Sequence, residues 1–367
     1  MSGQVPLIAA RLKACSIFAG ALALSACSTF QPAATTPAAT PAARPAPAED
    51  APVVSARMAE AQATLSQMVN LQDRLYRVAA PLLINNADLC KTQARNLLGF
   101  TAKNKFSYPG DYAEASRAVL GYGDRLQVSG VLAGSGAARA GLRKGDGLIS
   151  VEGKQLPTGQ NAETLAAAIL GPLSSKNAAL SMSVWRDGAT RSMSVPVTRA
   201  CAFKVDLGNA DNINSYADGQ RVMITRGMIN FAQTDEAIAF VLAKDIAHNV
   251  LGHAGTMRSS ATIGSIIDNL VAVKPDLSML IGSAGVKPVP QEMDAAADNL
   301  ALYMLARAGY NVEHAHGFWQ RLANQYPASV LNGYTNTHPS VNYRLAVINK
   351  TVADIKAKQA AKKPLVP

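Results

Sequence analysis

The sequence predicts an α+β fold in which an all-β-rich segment precedes a mostly helical one. Three observations carry this. Apolar residues recur at intervals of three, four and seven from Ser55 to about Leu83, the helical period. Between about 110 and 200, short alternating runs are broken by glycine turns, the pattern of strands. After Thr234 an apolar helical face returns and persists towards the C-terminus. At 367 residues the chain is long enough for two cores.

The elements follow in order. Arg11 and Lys13 precede an apolar run, Ala14 to Leu24, that is too short to span a bilayer and ends in Leu24-Ser25-Ala26-Cys27. That ending resembles the lipobox of bacterial lipoproteins. The resemblance implies a signal peptide over 1–27, lipidation of Cys27 and, with Ser28 next, passage to the outer membrane. The expected location is thus periplasmic, anchored by lipid to the outer membrane of a Gram-negative bacterium. Residues 28–53 are mostly Ala, Pro and Thr, too poor in large apolar side chains to offset chain entropy, and are expected to be a disordered tether. Residues 54–100 are expected to be an N-terminal helix and connector, with Met58, Leu65, Met68, Leu71, Leu75 and Val78 on its apolar stripe and Pro81 disrupting it.

The formal charge is +10, spread over scattered Arg and Lys and a tail holding Lys356, Lys358, Lys362 and Lys363. No basic cluster is interleaved with aromatics, so nucleic acid is not an expected partner, whereas a membrane surface is compatible. With Cys15 removed and Cys27 acylated, Cys90 and Cys201 remain in an oxidising compartment, flanking the middle segment. A disulfide between them would clamp its ends. The alternative is two buried thiols. No Cys-x-x-Cys spacing supports a metal pair.

Residues 101–202 are expected to form a domain of their own. Leu126–Val131 alternates, Ala137–Leu142 is a short helical turn, Asn161–Leu170 reads as a helix capped by Asn161, and Asp187-Gly188 joins two alternating runs as a hairpin. The string Ala140-Gly141-Leu142-Arg143-Lys144-Gly145-Asp146, then Ile149 and Gly153, resembles the PDZ domains of bacterial envelope proteases. The resemblance implies a groove that takes extended peptides as an added strand. Leu120, Gly121, Tyr122 and Gly123 are the candidate carboxylate loop, or else a plain turn, and Val128 lies on the strand that follows.

Residues 203–367 form the last segment, with a basic tail. Arg221–Thr225 reads as a strand, Gly227–Phe231 as a short helix, and Thr234 caps a longer helix with Asp235 and Glu236 in its first turn. That helix carries Lys244-Asp245-Ile246-Ala247-His248, the spacing of a His-Glu-x-x-His zinc motif with its first histidine and its glutamate replaced.

Residues Ala243 to His253, then Ala296-Ala297-Asp298, Ala306-Arg307-Ala308-Gly309-Tyr310 and Thr337-His338-Pro339-Ser340 with Arg344 resemble the M48 zinc metallopeptidases, in the subgroup with a PDZ domain ahead of the peptidase domain. By that resemblance Lys244, His248 and Ala296 occupy the metal-ligand positions. Asp245 occupies the general-base position, and Asp298 and His338 lie in the shell around the metal. A protonated lysine and an alanine cannot ligate, so only His248 remains as a ligand and no cofactor is expected. Asp245 is one methylene short for a general base. Five residues on, His253 is rotated about 140° around the helix from His248 and is not expected to share its ligand face. Asp294, two residues from Ala296, is expected to face away. Glu292, His314 and His316 are weak rescue candidates.

The expected function is a catalytically inactive M48-like lipoprotein that binds extended or C-terminal peptides of envelope proteins. The alternatives are an active zinc-dependent metalloendopeptidase of envelope quality control, with unconventional ligands, and a purely structural envelope protein. Lys244 paired with Asp298 or Asp245 is expected to stand in for the lost metal charge. The apolar segment 261–286 reads as core helices, a cover over the cleft, or a contact surface.

Overall fold

A computed structural model describes residues 54–256, 260–280 and 286–367. The expected signal peptide, Cys27 and the tether lie outside the described residues. Residues Val54–Pro367 pack as one compact unit.

Helix α1 (Ala56–Ile84) starts where the Ser55 hydroxyl accepts the Met58 amide at 3.2 Å. It does not stop at Pro81. Leu82 and Leu83 continue it into the core, where their burial offsets the missing hydrogen bond. Strands β1 (Ala94–Leu97) and β2 (Phe100–Lys103) follow. Helix α2 (Asp111–Leu120) comes next, where strands were expected; Tyr112 and Ala115 bury its face against α1. Then come β3 (Gln127–Val131), α3 (Gly136–Arg139), β4 (Gly147–Val151) and β5 (Lys154–Gln155). Helix α4 (Ala162–Lys176) runs past Gly171 and Pro172, longer than its periodicity predicts, and Asn161 precedes it without a side-chain cap. Strands β6 (Ala179–Arg186) and β7 (Ala189–Pro196) form the expected hairpin, with Asp187 at φ +52° and Gly188 at φ +77°.

One sheet has the order β2-β3-β4-β6-β7, with β5 on β4, so β2 is an edge strand. Strand β8 (Thr198–Cys201) pairs back with β1, and a disulfide joins Cys90 to Cys201. The connector and the middle segment are thus knitted together, and the expected boundary at 100/101 falls inside β2.

Strands β9 (Lys204–Gly208), β10 (Ser215–Ala217) and β11 (Arg221–Thr225) make a second sheet in the order β10-β11-β9. Helices α5 (Arg226–Ala232), α6 (Asp235–Val250), α7 (His253–Thr256), α8 (Ser260–Leu270), α9 (Gln291–Arg307), α10 (Ala315–Gln325), α11 (Tyr334–Thr337) and α12 (Val341–Ala360) complete the described chain. Thr234 caps α6, its hydroxyl accepting the Ala237 amide at 3.1 Å. From Ala237 to Asn249 every residue of α6 is buried, because α1, α9 and the second sheet pack around it. That centrality carries Lys244, Asp245 and His248 inside the protein. The architecture is a mixed α/β body, with the larger sheet N-terminal and a helical C-terminal part.

Candidate functional site

Helix periodicity assembles the site. On α6, Lys244 and His248 are four residues apart and share a face. On α9, Asp294 and Asp298 are likewise four apart and meet that face. The turn after α11 brings in His338, and the first turn of α12 brings in Arg344. All six are buried.

The Lys244 ammonium lies 2.5 Å from Asp294 Oδ1 and 3.1 Å from Asp298 Oδ1. The rings of Trp319 and Tyr334 flank it at 5.5 and 5.9 Å, within cation–π range. Arg344 donates from Nε to Asp298 Oδ2 at 2.7 Å and from Nη2 to Asp298 Oδ1 at 3.1 Å. Its guanidinium lies 4.8 Å from the Trp319 ring. His338 Nδ1 is 2.8 Å from Asp294 Oδ1, and its ring stacks on Tyr334 at 4.2 Å. Two carboxylates and two cations meet beside an aromatic wall, with Asp294 Oδ2 left without a hydrogen-bond partner.

Burial alone would raise the pKa of Asp294, but His338, Lys244 and Arg344 hold it well below the ordinary carboxylate value. Burial and the nearby Arg344 lower Lys244 against the pull of the two carboxylates. Burial drives His253 and His338 down to about 4, so both imidazoles are neutral near pH 7. His248 is lowered for the same reason. Asp245, buried beside Ser215, is pushed up to about 7 by desolvation.

Two expectations are corrected. Asp294 does not face away: it is fully buried and contacts Lys244 and His338, whereas Ala296 is exposed and outside the site. The i, i+4 rule, applied backwards from Asp298, finds Asp294. Matching the shorter Ala-Ala-Asp string picked a residue on the wrong face. His253 does reach His248, its Nδ1 lying 2.9 Å from His248 Nδ1. The 140° separation assumed a continuous helix, but α6 ends at Val250, and Gly252 at φ +71° turns the chain back. His314 is exposed and bound to Glu236 at 2.6 Å, away from the cluster.

The buried Nε2 of His248 has no hydrogen-bond partner and lies 3.5 Å from Asp294 Oδ1. Ligand atoms of His248, Asp294 and His338 all fall within 4.8 Å of one another, a His-Asp-His group of metal-ligating chemistry. Beside it is a cavity of about 50 Å³ lined by Ser215, Asp245, His248, Ile263 and His338, among others. That is room for a few waters at most.

A far larger cavity, about 1100 Å³, lies apart from this cluster. It runs along β2 from Leu98 and Gly99 to Lys103, and α4 bounds it through Ala166, Ala167 and Leu170. Met68 and Tyr76 of α1, residues 107–112, residues 203–207 and residues 271–274 form its other walls. The predicted loop and strand do not serve as an open edge. Gly121 and Tyr122 donate their amides to Arg117 and Ser116, closing α2, and the Tyr122 ring is buried. Val128 is buried on β3, which pairs on one side with β2 and on the other with β4. The edges of this sheet are β2 and β7, and β2 is entered through Leu98-Gly99-Phe100. Gly99 has φ +86°, and a Cβ there would lie 2.2 Å from the Ser135 Cβ. The signal was legible: Leu97-Leu98-Gly99-Phe100 is also an apolar-glycine-apolar string ahead of a strand, as is 120–123.

Residues 175–352 match peptidase family M48. Curated relatives are the mitochondrial metalloendopeptidase OMA1 of Schizosaccharomyces pombe, 24% identical over 38% of this chain and 44% of that protein, and OMA1 of Saccharomyces cerevisiae, 25% identical over 36% and 41%. Human OMA1 is 24% identical over 43% of this chain and 34% of its own length. The chain thus spans less than half the length of these relatives. No described helix is long and apolar enough to cross a membrane. The buried α6–α9 pair and its metal-ligating group both lie within the span, residues 175–352, that matches peptidase family M48.

Proposed function

We propose that the chain is a non-hydrolytic M48-type protein that holds extended peptides along the open edge of β2. The observation that carries this is the Lys244 ammonium, 2.5 Å from the carboxylate that a metal would need. The residues do not fit a resident dication. Asp294 and Asp298 already face two cations, and a third beside Lys244 would be repelled without a matching anion. His248 and His338 are the remaining donors, and two imidazoles leave a tetrahedral ion short of ligands. Asp245, with a pKa of about 7 and walled into 50 Å³, lacks the room a substrate needs.

The β2 edge supports the binding half of the reading. An unpaired strand edge presents backbone donors and acceptors in register for an added strand, and the adjoining cavity provides apolar side-chain room. The larger sheet is read as a PDZ-like module on the sequence string 140–146. The lipobox-like end at Cys27 supports attachment to the outer membrane, so the peptides would belong to envelope proteins.

Metal analysis and proteolysis test the first half. The purified chain is expected to hold no stoichiometric zinc and to leave casein intact. The triple variant Lys244→His, Asp245→Glu, Asp294→Glu is expected to acquire zinc, while Ala296→Glu in place of Asp294→Glu is not. Display of random peptides against the full chain tests the second half, with enrichment expected to vanish in a Gly99→Val variant. The alternative, an active zinc endopeptidase, rests on the His248–Asp294–His338 proximity. Stoichiometric zinc with chelator-sensitive cleavage would establish it and end the present reading.

A further inference from the structure

Helix α8 touches both cavities. At one end Ile263 lines the 50 Å³ cavity beside Asp245 and His338. Along its length Ile266, Ile267 and Leu270 pack on Tyr216 and Met223 of the second sheet, next to the free edge of β10. Just past its other end, Val271, Ala272, Val273 and Lys274 form part of the wall of the 1100 Å³ groove. Eleven residues of helix span about 16 Å, so one short rigid element links the two.

The contacts that seat α8 are few and specific. Arg221 donates to Asp268 at 2.6 Å and to the Gly264 carbonyl at 3.2 Å. The Asn209 amide donates to the Leu270 carbonyl at 2.7 Å, and its side chain to the Ala272 carbonyl at 2.8 Å. Lys274 lies 5.8 Å from the ring of Tyr112, which also lines the groove. With α8 seated, residues 271–274 form part of the groove wall and Ile263 lines the cavity of about 50 Å³ beside His248.

We infer that α8 couples the two sites, so that a peptide in the groove holds the M48 cleft shut. A bound peptide packs on Val271 and Val273, which hold those positions only while α8 is seated. It therefore binds the seated state more tightly and shifts the population towards it. Linkage requires the reverse: loosening α8 weakens the groove for its peptide by the same factor. The coupling rests on the groove reading given above, and it assigns α8 a role as a strap between groove and cleft.

Hydrogen exchange tests it on the full chain. The probe is the decapeptide Ser-Gly-Ser-Gly-Thr-Val-Thr-Val-Leu-Val with a free carboxyl terminus, titrated by fluorescence anisotropy and then added at saturation. Amides of residues 262–267, which do not line the groove, are expected to exchange at least threefold more slowly with peptide than without. Arg221→Ala and Ile263→Ser, neither in the groove wall, are each expected to weaken the peptide at least fivefold. Absence of binding to the unaltered chain overturns both the groove reading and the coupling. Binding with unchanged exchange at 262–267 overturns the coupling and leaves the groove reading in place. Folding of the variants does not decide the matter, because the exchange comparison uses the unaltered chain.

Discussion

Replacing Lys244 by methionine removes the ammonium while keeping an unbranched side chain of similar length. The two carboxylates it serves stay buried: Asp294 keeps His338 at 2.8 Å and Arg344 at 3.4 Å, and Asp298 keeps Arg344 at 2.7 Å. One cation is then left for two anions. Breaking a buried pair from one side costs about 3–5 kcal/mol, because the abandoned charge has neither water nor partner. The lost cation–π contacts with Trp319 and Tyr334 act in the same direction. At about 2–4 °C per kcal/mol for a domain of this size, Tm is expected to fall by roughly 10 °C in thermal circular dichroism. Adding Asp294→Asn to Lys244→Met removes the orphaned charge, so the double variant is expected to be more stable than the sum of the singles, with coupling of about 2 kcal/mol. A Lys244→Met Tm within 1 °C of the parent, or strict additivity in the cycle, would refute the view that this ammonium replaces a metal.

Three further outcomes follow from the same structure. Cys90→Ser with Cys201→Ser opens a loop of sequence separation 111 and is expected to cost about 2–5 kcal/mol, read by urea unfolding at constant protein concentration. Gly99→Val forces a Cβ against Ser135 at φ +86°, so peptide binding along β2 is expected to be lost while the secondary structure by far-UV circular dichroism stays native. His253 and His338, held near 4 against an ordinary 6.5, contribute stability that is complete above pH 6.5 and lost as pH falls towards 4. Asp245, held near 7, has the opposite sign: its contribution is complete below pH 3.8 and lost as pH rises through 7. The two histidines outweigh it, so Tm is expected to drop between pH 6.5 and 4.5. Asp245→Asn is expected to steepen that drop and to raise Tm at pH 8, and a flat Tm profile from pH 4.5 to 8 for both proteins would show these groups to be unperturbed.

Much of the fold was legible in local pattern. The α1 stripe, the Asp187-Gly188 hairpin and the Thr234 cap each rest on residues within a turn or two of one another. What the sequence concealed depends on context beyond that range. The continuation of α1 through Pro81 depends on burial of Leu82 and Leu83 in a core built by remote segments. Helix α2 hides among glycines because its buried face is only Tyr112, Ala115 and Ser116, too short for a periodic signal. In the site, Lys244 and His248 were visible at once, since their relation is intrahelical. Asp294 was missed for want of a single rule, the i, i+4 step back from Asp298. His253 was missed because a glycine turn cancelled a correct helical rotation. The open edge at β2 needs the strand order, which no residue string contains.

On the proposed reading, the residues at the metal positions make sense only together. An M48 cluster that lost its ion while keeping Asp294 and Asp298 would bury two like charges, a state far costlier than any surface change. Lys244 restores a positive charge at the very face of α6 where a ligand histidine would stand, and Arg344 supplies the second. With that balance the aromatic wall of Trp319 and Tyr334 can close over the cations. A cavity of about 50 Å³ lies beside Asp245. On this reading, the ammonium that pairs with Asp294 and Asp298 holds α6 and α9 together in place of a metal. Peptides, on the proposed reading, are held instead along β2, an edge strand of the larger sheet.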